Sequence, residues 1–155
     1  MDEQATFEAA LTLYNAACSG ANLIHDSGFL DFGLTGSLEL VTIDDEIISL
    51  TKRALSSESI TDQTVSLELI DIIGPGGSYL ATSDTRSLFE KFHWKPQLVD
   101  RNTRKMWERQ GKTSLLQRAA EKTKKILETH KVEPLSPEVE EKIRLIISRA
   151  EKELM

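Results

Sequence analysis

The sequence contains few of the residues that build disulfides, metal sites and membrane spans. Its 155 residues include one cysteine and three histidines, so the chain cannot form an internal disulfide and has no Cys/His cluster with metal-ligand spacing. No window reaches the roughly 20 apolar residues that cross a bilayer, and Asp2 and Glu3 stand where a signal peptide would be basic. We therefore expect no metal site, no membrane segment and a reducing, cytoplasmic location.

Positive charge is also scarce over most of the chain. Residues 1–100 carry a net charge of −11, residues 101–131 carry +7 and residues 132–155 carry −2. The lysines between residues 122 and 131 have no interleaved aromatic residues, and no helix-turn-helix or RNA-binding motif accompanies them. This pattern favours contact with an acidic protein surface, or with the acidic front of the same chain, over nucleic-acid binding.

Hydrophobic residues make up 39% of the chain and charged residues 28%, which is typical of one globular domain. Helical spacing predicts a first helix from about Asp2 to Cys18, with Cys18 a small buried residue rather than a nucleophile. We expect about six helices and no more than two or three short strands. The other predicted helices begin at caps or cover short segments, namely Ser37, Thr61, Thr113 and Ser136 as caps and residues 83–92 and 103–110 as segments.

The helix capped by Ser37 has a clear apolar stripe. Asp44 and Asp45 lie off this stripe, so the pattern places them away from the buried face. The stripe consists of Leu40, Ile43, Ile47, Leu50 and Ala54.

The segment before that helix combines a short apolar run with chemically reactive side chains. Ala21 to Ile24 precede His25, Asp26 and Gly28, and parallel α/β enzymes place site residues at the carboxyl ends of strands in this way. A lone strand cannot satisfy its own backbone hydrogen bonds. Ala21 to Ile24 is therefore either buried between helices in another conformation or a strand of a larger barrel whose other strands lie elsewhere.

An ordered set of motifs resembles a known family. It covers residues 2–110 and is similar to the carboxyl-terminal third of the trimethylamine:corrinoid methyltransferases. The His-Asp form of residues 25–26 resembles the glycine betaine branch more than the trimethylamine branch. The motifs are Asp2-Glu3-Gln4-Ala5, the run from Ser19 to Thr35, Asp44-Asp45-Glu46-Ile47, Gly74-Pro75-Gly76-Gly77, Trp94-Lys95-Pro96 and Asp100-Arg101.

The resemblance implies an α/β fold, the (β/α)₈ TIM-type barrel, of which this mostly α-helical chain is a carboxyl-terminal part. Residues 1–80 would form the last β/α units and residues 81–155 a helical extension. The family transfers a methyl group from a tertiary or quaternary methylamine, of the trimethylamine or glycine betaine type, to the Co(I) of a separate corrinoid protein. The corrinoid would therefore be carried by that partner and not bound directly by this chain.

The resemblance also implies that the chain is a truncated portion that is inactive alone. The pyrrolysine of some family members would fall just before Met1. An alternative hypothesis is a standalone helical interaction module without catalytic activity, which docks a partner through Arg101 to Lys131. If barrel strands are missing, Leu23, Ile24 and the apolar stripe of the second helix should form the interface of a homo-oligomer.

Methyl transfer from an ammonium ion to a nucleophilic metal needs no proton abstraction, so the protein must mainly hold a cation and exclude water. Asp26 and Asp31, with Phe29 and Phe32, could supply such a wall, and His25 could hold the carboxylate of a betaine. The alternative is that the two phenylalanines are core residues and that Asp31 caps a turn. No residue is assigned a catalytic role.

Overall fold

The computed structural model describes residues 1–154, which are mostly helical with one small sheet. Contacts between residues divide the chain into two compact units, one of residues 1–124 and one beginning at residue 125. No helix within residues 1–154 is long and apolar enough to cross a membrane.

Helix α1 spans Glu3–Cys18 and begins where the sequence predicts. The Asp2 carboxylate accepts the N–H of Ala5 at 3.1 Å, which satisfies one unpaired donor of the first turn. Leu13 is buried, whereas Cys18 is exposed, so the prediction of a buried cysteine is wrong. Five helical positions separate the two residues, a rotation of about 140° at 3.6 residues per turn, and Cys18 therefore points away from the face that buries Leu13.

The sheet contains two short antiparallel strands, β1 (Phe29–Leu30) and β2 (Thr35–Gly36), joined by a 3₁₀ turn over Asp31–Gly33. Within residues 1–154 these strands pair only with each other, which confirms the expectation of few, short strands. The predicted strand at residues 21–24 is wrong, since this segment lies outside every helix and strand and Leu23 is 81% exposed. The one ladder among residues 1–154 joins β1 to β2 and does not include this segment. All four residues are exposed, so the alternative of burial between helices is also wrong.

Helix α2 spans Leu38–Leu55, and Ser37 caps it as predicted by accepting the N–H of Leu40 at 3.2 Å. The helix packs against α1. Its buried residues include Leu40 and Ile43 of the predicted stripe, whereas Leu50 and Ala54 are exposed. The other buried residues of α2 are polar or charged, namely Thr42, Asp44, Glu46 and Thr51.

The burial of Asp44 and Glu46 contradicts the simple amphipathic pattern, because α2 is covered on more than one side. The Glu46 carboxylate accepts the backbone N–H groups of Gln97, Leu98 and Val99 at 2.8–3.0 Å. One turn earlier on the same side, the Thr42 and Thr123 hydroxyl oxygens lie 2.7 Å apart. Asp44 lies about 160° around the helix from Glu46, where its carboxylate accepts the Gly28 N–H. The buried arc of α2 is therefore wider than its apolar stripe, and polar residues occupy the rest of it.

The helix predicted to begin after Thr61 is two short helices, α3 (Asp62–Val65) and α4 (Leu67–Ile73). The Thr61 cap is confirmed, because its hydroxyl accepts the N–H of Thr64 at 3.2 Å. The break lies at Ser66, which adopts left-handed dihedrals (φ 53°, ψ 43°) and donates its hydroxyl to the Gln63 carbonyl at 2.8 Å. This local bond stabilises a turn in place of a continuous helix.

Four more helices follow. The first two match the predicted segments 83–92 and 103–110 closely. The helix predicted to begin after Thr113 begins one residue later, because Ser114 and not Thr113 accepts the N–H of Gln117 at 3.2 Å. Ser136 accepts the N–H of Val139 at 3.4 Å, which confirms that cap. The four are α5 (Ser83–Phe92), α6 (Arg104–Arg109), α7 (Leu115–Thr129) and α8 (Pro137–Leu154), which bring the total in residues 1–154 to eight.

The core of the first unit is small. Ile43, Leu98 and Ala119 are buried together, and Ile47 and Leu115 pack at its edge. The Arg118 guanidinium holds this region by donating to the Leu98 carbonyl at 2.7 Å. The core therefore lies beside α2, where residues far apart in the sequence meet.

Candidate functional site

A cleft of about 890 Å³ lies between α1, residues 25–33 and α2. All five side chains predicted as site residues line it, although they come from a segment with little regular structure. They are His25, Asp26, Phe29, Asp31 and Phe32.

His25 and Asp26 form a pair at the cleft. The imidazole Nδ1 lies 2.7 Å from the Asp26 Oδ2, and the two side chains are 76% and 66% exposed. Asp26 has φ +70°, in the left-handed region that few residues other than glycine adopt. The pair is therefore held by its backbone turn and by mutual contact, and both side chains are accessible to a ligand.

The turn that carries Phe32 is strained. Asp31 and Phe32 have φ values of +50° and +53°, and consecutive left-handed residues other than glycine are costly and concentrate at functional sites. The turn leaves Phe32 fully exposed and Phe29 half-exposed. Neither phenylalanine belongs to the core of this chain, so the core-residue alternative is wrong, and both rings are available at the cleft.

The sequence analysis missed the residue at the floor of the cleft, Asp44. It is 2% exposed, and its Oδ2 accepts the N–H of Gly28 at 2.7 Å. Oδ1 is buried and has no hydrogen-bond partner among residues 1–154. Burial raises the pKa of the Asp44 carboxyl above its ordinary value, and the Gly28 N–H opposes this effect.

Gly28 allows this arrangement because it has no side chain. Its φ is +80°, and a Cβ atom there would lie 2.2 Å from the Cγ2 of Val41. The backbone N–H can therefore approach α2 closely enough to reach Asp44. A glycine directly after His25-Asp26-Ser27 was the one sequence signal of this close approach, but its partner 16 residues away could not be identified from spacing.

The cleft is strongly acidic. Its lining contains one histidine and, in the part of the chain that the structure describes, no lysine or arginine. Clefts lined by charges of one sign concentrate ligands of the opposite sign, so this one suits a cation. The carboxylates that line it are Asp2, Glu8, Asp26, Asp31 and Asp44. Within residues 1–154, no three His, Cys, Asp or Glu side chains are grouped so that they could hold a metal ion.

Comparison with known proteins identifies the family of the chain. The profile of the family described as trimethylamine methyltransferase (MTTB) matches residues 1–155. The chain belongs to this family. It is 33% identical to a trimethylamine methyltransferase of Methanosarcina barkeri strain Fusaro over 151 residues, which cover 97% of this chain and 30% of the relative.

Other family members show the same extent of coverage. A trimethylamine methyltransferase of Desulfitobacterium hafniense strain DCB-2 is 32% identical over 98% of this chain and 30% of the relative. A glycine betaine methyltransferase of Desulfitobacterium hafniense strain Y51 is 28% identical over 99% of this chain and 32% of the relative. The chain thus spans about 30% of the length of these relatives. Overall identity does not distinguish the two branches at residues 25–26, so the resemblance of His25-Asp26 to the glycine betaine branch stays a prediction.

Proposed function

We propose that this chain supplies amine-binding residues of a methyltransferase that moves a methyl group from a tertiary or quaternary methylamine to a corrinoid protein. Family membership supports the reaction class. The observation that carries the proposal for this chain is the acidic cleft, where carboxylates and exposed aromatic rings lie together. Carboxylates and aromatic faces are the groups that hold methylated ammonium ions in proteins.

In this proposal the chain holds and aligns the methyl donor. Asp26 and Asp31 face the positive nitrogen, and Phe29 and Phe32 contact its methyl groups and exclude water. Positioning of this kind can account for a large part of a rate enhancement when no proton is moved. The corrinoid supplies the nucleophilic metal that receives the methyl group, and a lining of carboxylates and aromatic rings fits the amine rather than a corrinoid.

His25 has a separate role that depends on the substrate. A betaine carries a carboxylate that trimethylamine lacks. With its Nδ1 on Asp26, His25 can donate a hydrogen bond from Nε2 to that carboxylate as an imidazolium, in which both ring nitrogens carry a proton. We therefore propose a glycine betaine-type substrate for the site that includes His25. A plain methylamine would use the carboxylates and aromatic rings alone.

Since the chain spans about 30% of its relatives' length, we propose that it corresponds to their carboxyl-terminal portion and is inactive alone. Residues 1–80 would belong to the last units of a β/α barrel, and residues 81–155 would form a helical extension. A cytoplasmic location stays a prediction from the cysteine content.

The test uses a complete glycine betaine methyltransferase relative in which this chain replaces the matching segment. His25→Ala should weaken betaine binding by about tenfold to a hundredfold, the effect of losing a charge-assisted hydrogen bond of about 1.5–3 kcal/mol. Binding of trimethylamine should be unchanged. Methyl transfer to the corrinoid protein and substrate affinity are measured for both amines, with His93→Ala, a histidine outside the cleft, as the matched control.

Asp26→Asn should weaken binding of both amines, because its proposed partner is the ammonium group. If both variants leave affinity and methyl-transfer rate unchanged, the His-Asp pair is structural and the proposed site is wrong. A chimera that transfers no methyl group from either amine, while the parent relative does so, would contradict the proposed function itself.

A further inference from the structure

Asp44 presents a buried carboxylate to the cleft with only one oxygen satisfied. Its Oδ2 accepts the Gly28 N–H at 2.7 Å, and its Oδ1 has no partner among residues 1–154. The residue is 2% exposed and yet lines the cleft. A buried carboxylate is unfavourable unless its charge is balanced, so the unpartnered oxygen marks a place where a positive group would bind.

The chain offers no side chain to balance that charge. No lysine or arginine lines the cleft within residues 1–154, and the His25 imidazole is paired with Asp26 at 2.7 Å. Asp2, Glu8 and Asp31 line the same space and add negative charge. The charge can therefore be neutralised by a proton on Asp44 itself or by a ligand cation that displaces this proton.

We propose that Asp44 is the counter-ion of a small organic ammonium ion bound in the cleft, with Phe29 and Phe32 contacting its methyl groups. The ligand class rests on the proposed function, whereas the site rests on burial, the unpartnered oxygen and the acidic lining. A methylated ammonium ion has few or no N–H groups, so charge and aromatic contact must recognise it in place of multiple hydrogen bonds.

The ion should bind more tightly as the pH rises. Between the unfolded-state value of 3.8 and its raised pKa, part of the folded protein carries a proton on Asp44, and a cation must displace that proton. The titratable groups that line the cleft with Asp44 are Asp2 and Glu8 at α1 and His25, Asp26 and Asp31 in the segment that follows it. The Asp44 carboxyl carbon must therefore be observed directly to assign the pH dependence.

The experiment titrates the full chain with choline and with 3,3-dimethylbutan-1-ol, its neutral carbon isostere, and follows backbone amide shifts by NMR. Choline should bind about tenfold more tightly than the isostere, and Asp44→Asn should lower its affinity about tenfold. Asp45→Asn, an adjacent carboxylate that is 74% exposed, is the matched control and should change affinity less than about twofold. A titration with potassium chloride at equal ionic strength tests whether an inorganic cation binds in the same way.

Equal binding of choline to the wild type and to Asp44→Asn would overturn the role of Asp44 and leave the proposed function standing. If choline does not bind, the organic-cation site is overturned. The same holds if potassium chloride changes the amide shifts as much as choline does. Failure of methyl transfer by the chimera described above is a separate result that concerns the proposed function.

If Asp44→Asn does not fold, the wild type decides the question. The Asp44 carboxyl carbon signal is followed against pH with and without choline. Choline should lower the pKa of this carboxyl, and choline affinity should rise across the same pH range. An unchanged Asp44 titration in saturating choline would overturn the proposal.

Discussion

Gly28 and Asp44 show how two single residues shape the cleft floor. The buried Gly28 N–H meets the Asp44 Oδ2 at 2.7 Å, and this contact joins the loop that carries His25 and Asp26 to α2. A charge-assisted hydrogen bond of this kind is worth about 1.5–3 kcal/mol. This contact acts together with the Ser37 N–H, which donates to the Gly28 carbonyl at 2.8 Å, and with the β1–β2 pairing to position the loop.

Gly28→Ala should destabilise the chain by about 2–4 kcal/mol, since left-handed backbone and a clash act together. The added Cβ would lie 2.2 Å from the Val41 Cγ2. Gly33→Ala is the matched control, because Gly33 also has positive φ (+85°) but open space around it, and it should cost only about 1–2 kcal/mol. Urea unfolding measures both, and equal losses would contradict the clash argument.

Asp44 should make stability depend on pH in a defined direction. Its folded-state pKa is raised by burial, so the folded state holds the proton more tightly than the unfolded state. Stability therefore falls as pH rises from 3.8 through the raised pKa. Within that range the stability of the wild type relative to Asp44→Asn should fall by up to about 1.4 kcal/mol per pH unit.

Thermal and urea unfolding of both proteins across this pH range measure that difference. Asp45→Asn should change the free energy of unfolding by no more than about 0.5 kcal/mol. A difference between the wild type and Asp44→Asn that stays constant with pH would show that Asp44 titrates alike in the folded and unfolded states.

At the scale of elements, α2 connects the cleft with the core. Its Asp44 side faces the cleft, whereas Glu46 receives three consecutive backbone N–H groups from residues 97–99. Thr42 and Thr123 join α2 to α7 through their hydroxyls. A change in how residues 97–99 are held should therefore reach the cleft through the position of α2.

Glu46→Ala should cost about 3–5 kcal/mol, because it leaves the buried Leu98 N–H and the part-buried N–H groups of Gln97 and Val99 without their acceptor. Glu46→Gln keeps one carbonyl oxygen as acceptor and should cost less, about 1–3 kcal/mol. Urea unfolding gives these values, and hydrogen exchange of the amides of residues 97–99 should accelerate most in the alanine variant. Equal exchange rates in the wild type and Glu46→Ala would show that Glu46 does not hold this segment.

At the scale of the whole molecule, the chain exposes many large apolar side chains. Of the surface predicted to be covered by missing strands or by a second copy, Leu23, Ile24 and Leu50 are exposed, whereas Leu40 and Ile43 are buried within the chain itself, so that part of the prediction is wrong. Exposed patches often mark interaction sites. The same helix also exposes Leu38, Val41 and Leu55, which lie outside the predicted stripe.

We expect the chain to self-associate through this surface. Leu23→Ser combined with Leu38→Ser should shift the chain toward monomer in light scattering, because the interface would lose buried apolar area. Leu80→Ser, which changes a leucine elsewhere that is about as exposed as Leu23, is the control and should leave the association unchanged. A wild-type monomer at all concentrations would contradict this prediction.

Local features of the sequence were sufficient to predict most of the helices and part of the candidate site. Ser37, Thr61 and Ser136 cap helices as predicted, because a cap needs only a side chain and an N–H two or three residues away. The five predicted site residues occur within residues 25–32, so a single loop brings them to one cleft. The motifs in the same region indicated the family.

Only the tertiary structure decided which polar residues are buried and whether the 21–24 segment is a strand. Asp44 meets Gly28 across 16 positions, and Glu46 meets Leu98 across 52. Apolar periodicity describes one face of a helix and contains no information about segments that cover its other sides. A strand likewise needs a partner, and residues 21–24 found none in this chain because the described strands pair only with each other.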